Sequence, residues 1–205
     1  MWVKICGVRS VESAIVAERA GADAIGINMH PPSPRYVSPE TAARIAKSVS
    51  IEVVLVVVNL TFDEISDLVE SISPDTIQLH GDESIKFSKR LERELGVSTI
   101  RAFRAHGKLF EELDKWRPQR FILDAFVAGI EGGTGKRVDT KTAVRARACG
   151  GMILAGGLTP DTVGDVISET SPVGVDVASG VEVSAGLQSH PAIREFIKAA
   201  KLSPN

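Results

Sequence analysis

Cysteine, amide side chains, long apolar runs and a basic excess are all scarce or missing in this chain. Only Cys6 and Cys149 occur in 205 residues, too few for a dense disulfide framework, so each is read as a free reactive thiol or a small buried hydrophobe. The longest β-rich apolar run, VVLVVV at 53–58, stops far short of the roughly 18 residues that a membrane span needs. No basic start followed by an apolar core marks a signal peptide, so the expectation is a cytoplasmic protein with no membrane partner. A net charge of −2 lacks the basic surplus of a nucleic-acid surface. Asn and Gln are confined to Asn28, Asn59, Asn205, Gln78, Gln119 and Gln188, a depletion in the direction seen in heat-adapted proteins. What is present, 43% hydrophobic and 24% charged residues, is the composition of a globular chain and excludes disorder and collagen-like fibre.

Short β-rich runs recur at Val3–Cys6, Ala24–Asn28, Val53–Asn59, Thr76–His80, Thr99–Arg104, Phe121–Asp124, Met152–Ala155 and Gly174–Ala178. Their starts lie 21, 29, 23, 23, 22, 31 and 22 residues apart. Most gaps carry helical patterns with start signals: Ser10, Ser38-Pro39-Glu40, Thr61 and Thr159-Pro160-Asp161. A short helix is expected at Lys108–Trp116. Eight alternating βα units predict a single-domain α/β fold over 1–205, a closed (β/α)8 TIM barrel, with an open parallel sheet as the alternative. In such a barrel, chemistry sits at the C-terminal strand ends. The two long gaps place a proline-rich loop (MHPPSPRYVSP) after strand 2 and a glycine-rich loop (AFVAGIEGGTGKRV) after strand 6, as walls or lids of one site or as tolerated surface insertions.

Strand alternation puts Lys4 and Cys6 on the inward face of strand 1, with Cys6 at the mouth. A thiol there can act as nucleophile or general base if nearby positive charge lowers its pKa, or it can simply fill space. Lys4 lies deeper, level with Gln78 and Asp176; an internal polar network with Asp176 is the main reading and a Schiff-base lysine the minor one. Asp124 ends strand 6 facing inward; apolar neighbours would keep it protonated as a general acid. His80 ends strand 4 above Gln78, as a ligand contact, a base or a plain buried polar residue. Cys149 precedes strand 7, at the opposite end of the barrel. Strands 7 and 8 both end in small residues, LAGGLTP and DVASGVE, where backbone N–H groups can approach a phosphate. No cluster has metal-ligand spacing and no strand–GxGxxG–helix unit occurs, so no metal and no dinucleotide cofactor is implied.

Together, KICG at 4–7, SPRYV at 33–37, QLHG at 78–81, ILDA at 122–125, GGTG at 132–135, LAGGL at 154–158 and DVASGVE at 176–182 resemble the phosphoribosylanthranilate isomerase family along essentially the whole chain. The resemblance implies a cofactor-independent Amadori rearrangement of the phosphosugar N-(5-phosphoribosyl)anthranilate to 1-(2-carboxyphenylamino)-1-deoxyribulose 5-phosphate in tryptophan biosynthesis. It also implies a cysteine base at Cys6, an aspartate acid at Asp124, Arg35 near the anthranilate carboxylate and His80 at the substrate. Phosphate-binding backbone would fall at Gly156, Gly157, Ser179 and Gly180. The chain departs from the family at Arg9, where Thr is usual, and at Met29-His30, where an aromatic and then a basic or aromatic residue precede the proline. Lys4, Arg35 and His80 are candidate sources of positive charge for a Cys6 thiolate. The histidine-pathway isomerase, with two phosphates, would need a second glycine turn and a strand-end aspartate in the first half. A non-enzymatic phosphometabolite-binding barrel gives no reason for both Cys6 and Asp124. Monomer and homodimer both fit.

Overall fold

The computed structural model describes residues 1–124 and 138–203. Eight strands form where the apolar runs predict them: β1 (Trp2–Cys6), β2 (Ala24–Asn28), β3 (Glu52–Val57), β4 (Thr76–Leu79), β5 (Ser98–Arg104), β6 (Arg120–Asp124), β7 (Gly151–Leu154) and β8 (Gly174–Val177). They pair in sequence order and β8 closes on β1, giving a closed (β/α)8 barrel rather than the open sheet. Closure aligns Lys4 with Asp176, and the β1–β2 pairing aligns Cys6 with Gly26. The glycine-rich segment at 132–135, Ala125 and the wall expected from the loop after β6 lie outside the described residues.

The helix signals act as local chemistry dictates. Helix α1 (Val11–Ala20) is capped by the Ser10 hydroxyl and closed by Gly21, whose φ of 96° suits glycine. Helix α2 (Pro39–Ala46) starts at Ser38-Pro39, and Thr61 and Glu64 make a reciprocal capping box on α3 (Phe62–Ile72). Helices α4 (Ile85–Leu95), α5 (Leu109–Trp116) and α6 (Thr140–Arg147) follow, α5 being the short helix expected. Helix α7 (Val163–Thr170) follows the Thr159-Pro160-Asp161 signal as expected. Those three residues form a tight turn, in which the Thr162 and Val163 N–H groups donate to the Thr159 carbonyl and Thr159 N–H donates to the Thr162 hydroxyl. Helix α8 (His190–Leu202) ends the described chain, packed on α1. None of these helices is long and apolar enough to cross a membrane.

Strand alternation splits the buried residues into two compartments. Val3, Ile5, Ile25, Leu55, Ile77, Phe103, Phe121 and Val175 point outward into the layer shared with the helices. Inside the barrel, one wall is apolar, made by Ile100, Ala102, Ile122, Ile153 and Ala155. The facing wall carries buried Lys4, Gln78 and Asp176. At the bottom, Arg120 bonds Glu52 at 2.7 Å and lies over the Trp2 ring, closing the N-terminal end. The interior thus opens toward the C-terminal mouth.

Candidate active site

At that mouth lies a cavity of about 1070 Å³, counting the solvent in its opening, and all eight strand ends contribute to it. Cys6, Arg35, His80, Asp124, Gly156, Gly157, Ser179 and Gly180, the eight residues singled out from sequence, all line it. Cys149 is exposed and takes no part in the cavity. Among the described residues, no group of His, Cys, Asp and Glu could hold a metal ion.

Cys6 is partly buried on the inward face of β1. Burial pushes its thiol above the ordinary value; Lys4 pulls it down, Asp176 pushes it up again, and Arg35 contributes a weaker downward pull. The thiol is therefore the majority form at neutral pH, and the positive charge beside it does not bring its value below the ordinary one. Lys4 is wholly buried and donates to Asp176 Oδ1 at 2.7 Å. Burial works against its charge, but Asp176 and Cys6 more than offset that penalty and its pKa lies above the ordinary ammonium value. This ion pair is the internal network expected, and it removes the Schiff-base reading, because an amine attacks carbonyls only when unprotonated.

His80 accepts a hydrogen bond on Nδ1 from Gln78 Nε2 at 3.1 Å, which leaves its ring proton on Nε2, 3.8 Å from Asp124 Oδ2. Burial, with the positive charges of Arg104, Lys4 and Arg101, lowers its pKa to about 4. A neutral His80 supplies no positive charge to a thiolate, which corrects its place among the candidate sources. Because the ring must bind a proton more readily in the unfolded chain (near 6.5) than in the folded one, the fold loses stability as pH falls from 6.5 to 4. Unfolding curves across that window should show the loss, and His80→Gln should flatten it; an equally steep loss in the variant would assign it to other groups.

Asp124 is not in the apolar setting expected. His80 faces its carboxylate, and Arg104, its register partner on β5, lines the same cavity. Arg104 was legible in principle, since Ile100 and Ala102 face inward and alternation carries the next position inward too. Arg35 is less free than its loop position implied: Nε and Nη2 donate to the two carboxylate oxygens of Glu182 at 2.7 and 2.8 Å. Glu182 begins β9 (Glu182–Ser184), which pairs with β10 (Leu187–Gln188) in a hairpin that no sequence signal announced. Of the five guanidinium donors, the Nη1 pair and the second Nη2 hydrogen have no partner among the described residues, still a fork that a carboxylate can take bidentately. A second buried carboxylate, Glu83, was also missed. It accepts from Asn59 N–H, Gly81 N–H and Arg101 and so fixes the turn that follows His80.

The ends of β7 and β8 converge. Gly156 and Gly157 take φ of 86° and 65°, the left-handed region open to glycine. A Cβ on Gly180 would overlap the Leu158 carbonyl oxygen, so glycine is what lets the two turns meet. The N–H groups of Gly156, Gly157, Ser179 and Gly180 take no hydrogen bond among the described residues. Four unspent donors on residues that line one cavity are what an anion site requires.

A closed barrel whose mouth combines a thiol, a carboxyl, a neutral imidazole and a cradle of amides defines an enzyme of the (β/α)8 class, acting on a small molecule. The family description N-(5'phosphoribosyl)anthranilate (PRA) isomerase matches residues 3–199. The N-(5'-phosphoribosyl)anthranilate isomerase of Geotalea uraniireducens is 43% identical over 202 residues, covering 97% of this chain and 98% of that protein. The phosphoribosyl anthranilate isomerase of Thermotoga maritima superposes with a TM-score of 0.90 at 32% identity, covering 98% of each chain. A structure of such an isomerase in complex with reduced 1-(o-carboxyphenylamino)-1-deoxyribulose 5-phosphate superposes at 0.87, also at 32% identity and 98% of each chain. The chain belongs to the phosphoribosylanthranilate isomerase family, which sets aside both the histidine-pathway and the non-enzymatic readings.

Proposed function

We propose that this isomerase converts N-(5'-phosphoribosyl)anthranilate by an Amadori rearrangement in which Asp124 is the general acid and Cys6 the general base. Asp124 gives its proton to the ring oxygen as the C1–O bond breaks, and the nitrogen lone pair forms an iminium at C1. The Cys6 thiolate takes the C2 proton. The C2–H electrons form the C1–C2 double bond and neutralise the nitrogen, giving an enolamine. That species tautomerises to the ketose by losing the C2 hydroxyl proton and gaining one at C1. No electron acceptor is needed, because C1 is reduced as C2 is oxidised.

The observation that carries this reading is the presence of Cys6 and Asp124 on one cavity, from β1 and β6, with the amide cradle of β7 and β8 on the same rim. A phosphate on that cradle holds the sugar across the mouth, and the free edge of Arg35 suits the aryl carboxylate. Turnover of phosphoribosylanthranilate by the purified chain tests the reading; absence of product would end it.

Two variants probe binding. Gly157→Val places a β-branched side chain at φ 65° and obstructs the anion's approach. Substrate KM should rise about 10- to 100-fold, as loss of a hydrogen bond to a charged group is worth about 1.5–3 kcal/mol. An unchanged KM would move the phosphate elsewhere. Arg35→Ala should weaken discrimination between anthranilate and aniline analogues. It also strands Glu182, whose side chain is only 3% exposed, and should lower stability by about 3–5 kcal/mol. Adding Glu182→Gln should recover stability in denaturant titrations and leave the discrimination defect in place. Recovery of both would make Arg35 a scaffold residue only.

A further inference from the structure

Lys4 belongs to no step of the rearrangement, yet among the described residues it is the only fully buried lysine, and its ammonium stands beside the proposed base. Lys4 and Cys6 are two residues apart on one inward face, so their side chains stack up the barrel wall. The neighbouring position on β2 is Gly26. A Cβ there would stand 2.8 Å from Cys6 Sγ and 2.9 Å from Lys4 Cε. The thiol and the end of the lysine stem therefore share the space that a side chain on β2 would occupy. From the other side, β8 presents Asp176, which holds the Lys4 ammonium at 2.7 Å and also lines the cavity.

We propose that the Lys4–Asp176 pair is the device that sets the thiol–thiolate balance of Cys6: Lys4 supplies the positive charge that stabilises the anion, and Asp176 anchors Lys4 while offsetting part of its field. Lys4 is thus a positioning residue acting through Cys6, an assignment that rests on Cys6 being the base. The proton that leaves the thiol goes to solvent in the open cavity, and Lys4 keeps all of its own. The other charged group bearing on Cys6 is Arg35 in the loop after β2, and its guanidinium is already engaged by Glu182. From β2 the neighbouring inward residues are Gly26 and Asn28, neither of which titrates. A purely structural pair, closing the seam between β1 and β8, would leave the ionisation of Cys6 untouched when exchanged for neutral partners.

The test uses the full chain in a Cys149→Ser background, so that Cys6 is the single thiol, and measures the rate of alkylation by iodoacetamide against pH. Lys4→Gln should move the alkylation midpoint upward by about one pH unit or more, lowering the thiolate fraction about tenfold at fixed pH. Asp176→Asn should move it downward, because a carboxylate that repels the thiolate is gone and the thiolate becomes the remaining counter-ion of the buried Lys4 ammonium. Opposite signs in the two variants support the proposal. No shift, or shifts of the same sign, overturns it. If Lys4→Gln does not fold, Asp176→Asn decides alone: a lower midpoint supports and an unchanged or higher one overturns. The thiol's break in the pH profile of kcat/KM should move with the midpoint. If the midpoint moves and the kinetic break stays, the Lys4 assignment holds and the reading of Cys6 as base fails.

Discussion

Cys6→Ser should lower kcat by about 10²- to 10⁴-fold, the range attributable to a positioned general base, with KM within about twofold of the parent. The substitution keeps size and polarity but replaces a thiol with an alcohol far harder to ionise. Because burial raises the thiol above its ordinary value, its titration falls on the alkaline side of the kcat/KM profile, whereas a carboxyl in the ordinary range breaks on the acid side. The active form, thiolate with protonated carboxyl, is then a minority whose population is flat between the two breaks. Cys6→Ser should remove the alkaline break and keep the acid one, and steady-state kinetics from acid to alkaline pH reads both effects. Near-parental turnover would transfer the proton abstraction to another cavity residue.

Asp124→Asn should be the mirror image. The amide keeps the shape of the carboxyl between His80 and Arg104 but has no proton to give, so the ring oxygen must leave unassisted. A fall in kcat of about 10²- to 10⁴-fold is expected, with the acid break lost and the alkaline break retained. The surviving limb should rise with pH to a plateau at the thiol's break; a limb that falls there instead would mean that the roles are exchanged. The two profiles together therefore assign acid and base independently of the absolute rates.

The barrel was readable because its information is local and periodic. Alternation alone put Lys4 and Cys6 inward, paired Lys4 with Asp176 and brought Asp124 to the lip, and each of those placements needs only the period of two within a strand. The turns at Gly156-Gly157 and Ser179-Gly180 were readable for a similar reason: small residues at strand ends mark where backbone must come close. What could not be read depends on residues distant in sequence. Nothing near Arg35 reveals that Glu182, 147 positions away, occupies one edge of its guanidinium. Nor does the sequence around His80 show that Glu83 locks the following turn to Asn59 and Arg101. The protonation of His80 and of Cys6 was equally hidden, because desolvation is a property of the assembled mouth and not of either residue. The setting of Asp124 was misjudged because its neighbours were counted along β6 and not across the ladder to Arg104.

The two ion pairs at the mouth tie the beginning of the chain to its end. Lys4 meets Asp176 across 172 residues, and Arg35 meets Glu182 across 147. Contacts of such separation close very large loops and form only after the intervening chain has ordered. The site consequently has no partial version: a nascent chain that has not yet delivered β8 and its hairpin holds a thiol with a lysine beside it and neither of the carboxylates that discipline the two cations. Competence for catalysis arrives with the last βα unit, in the same event that turns an open ribbon of strands into a ring.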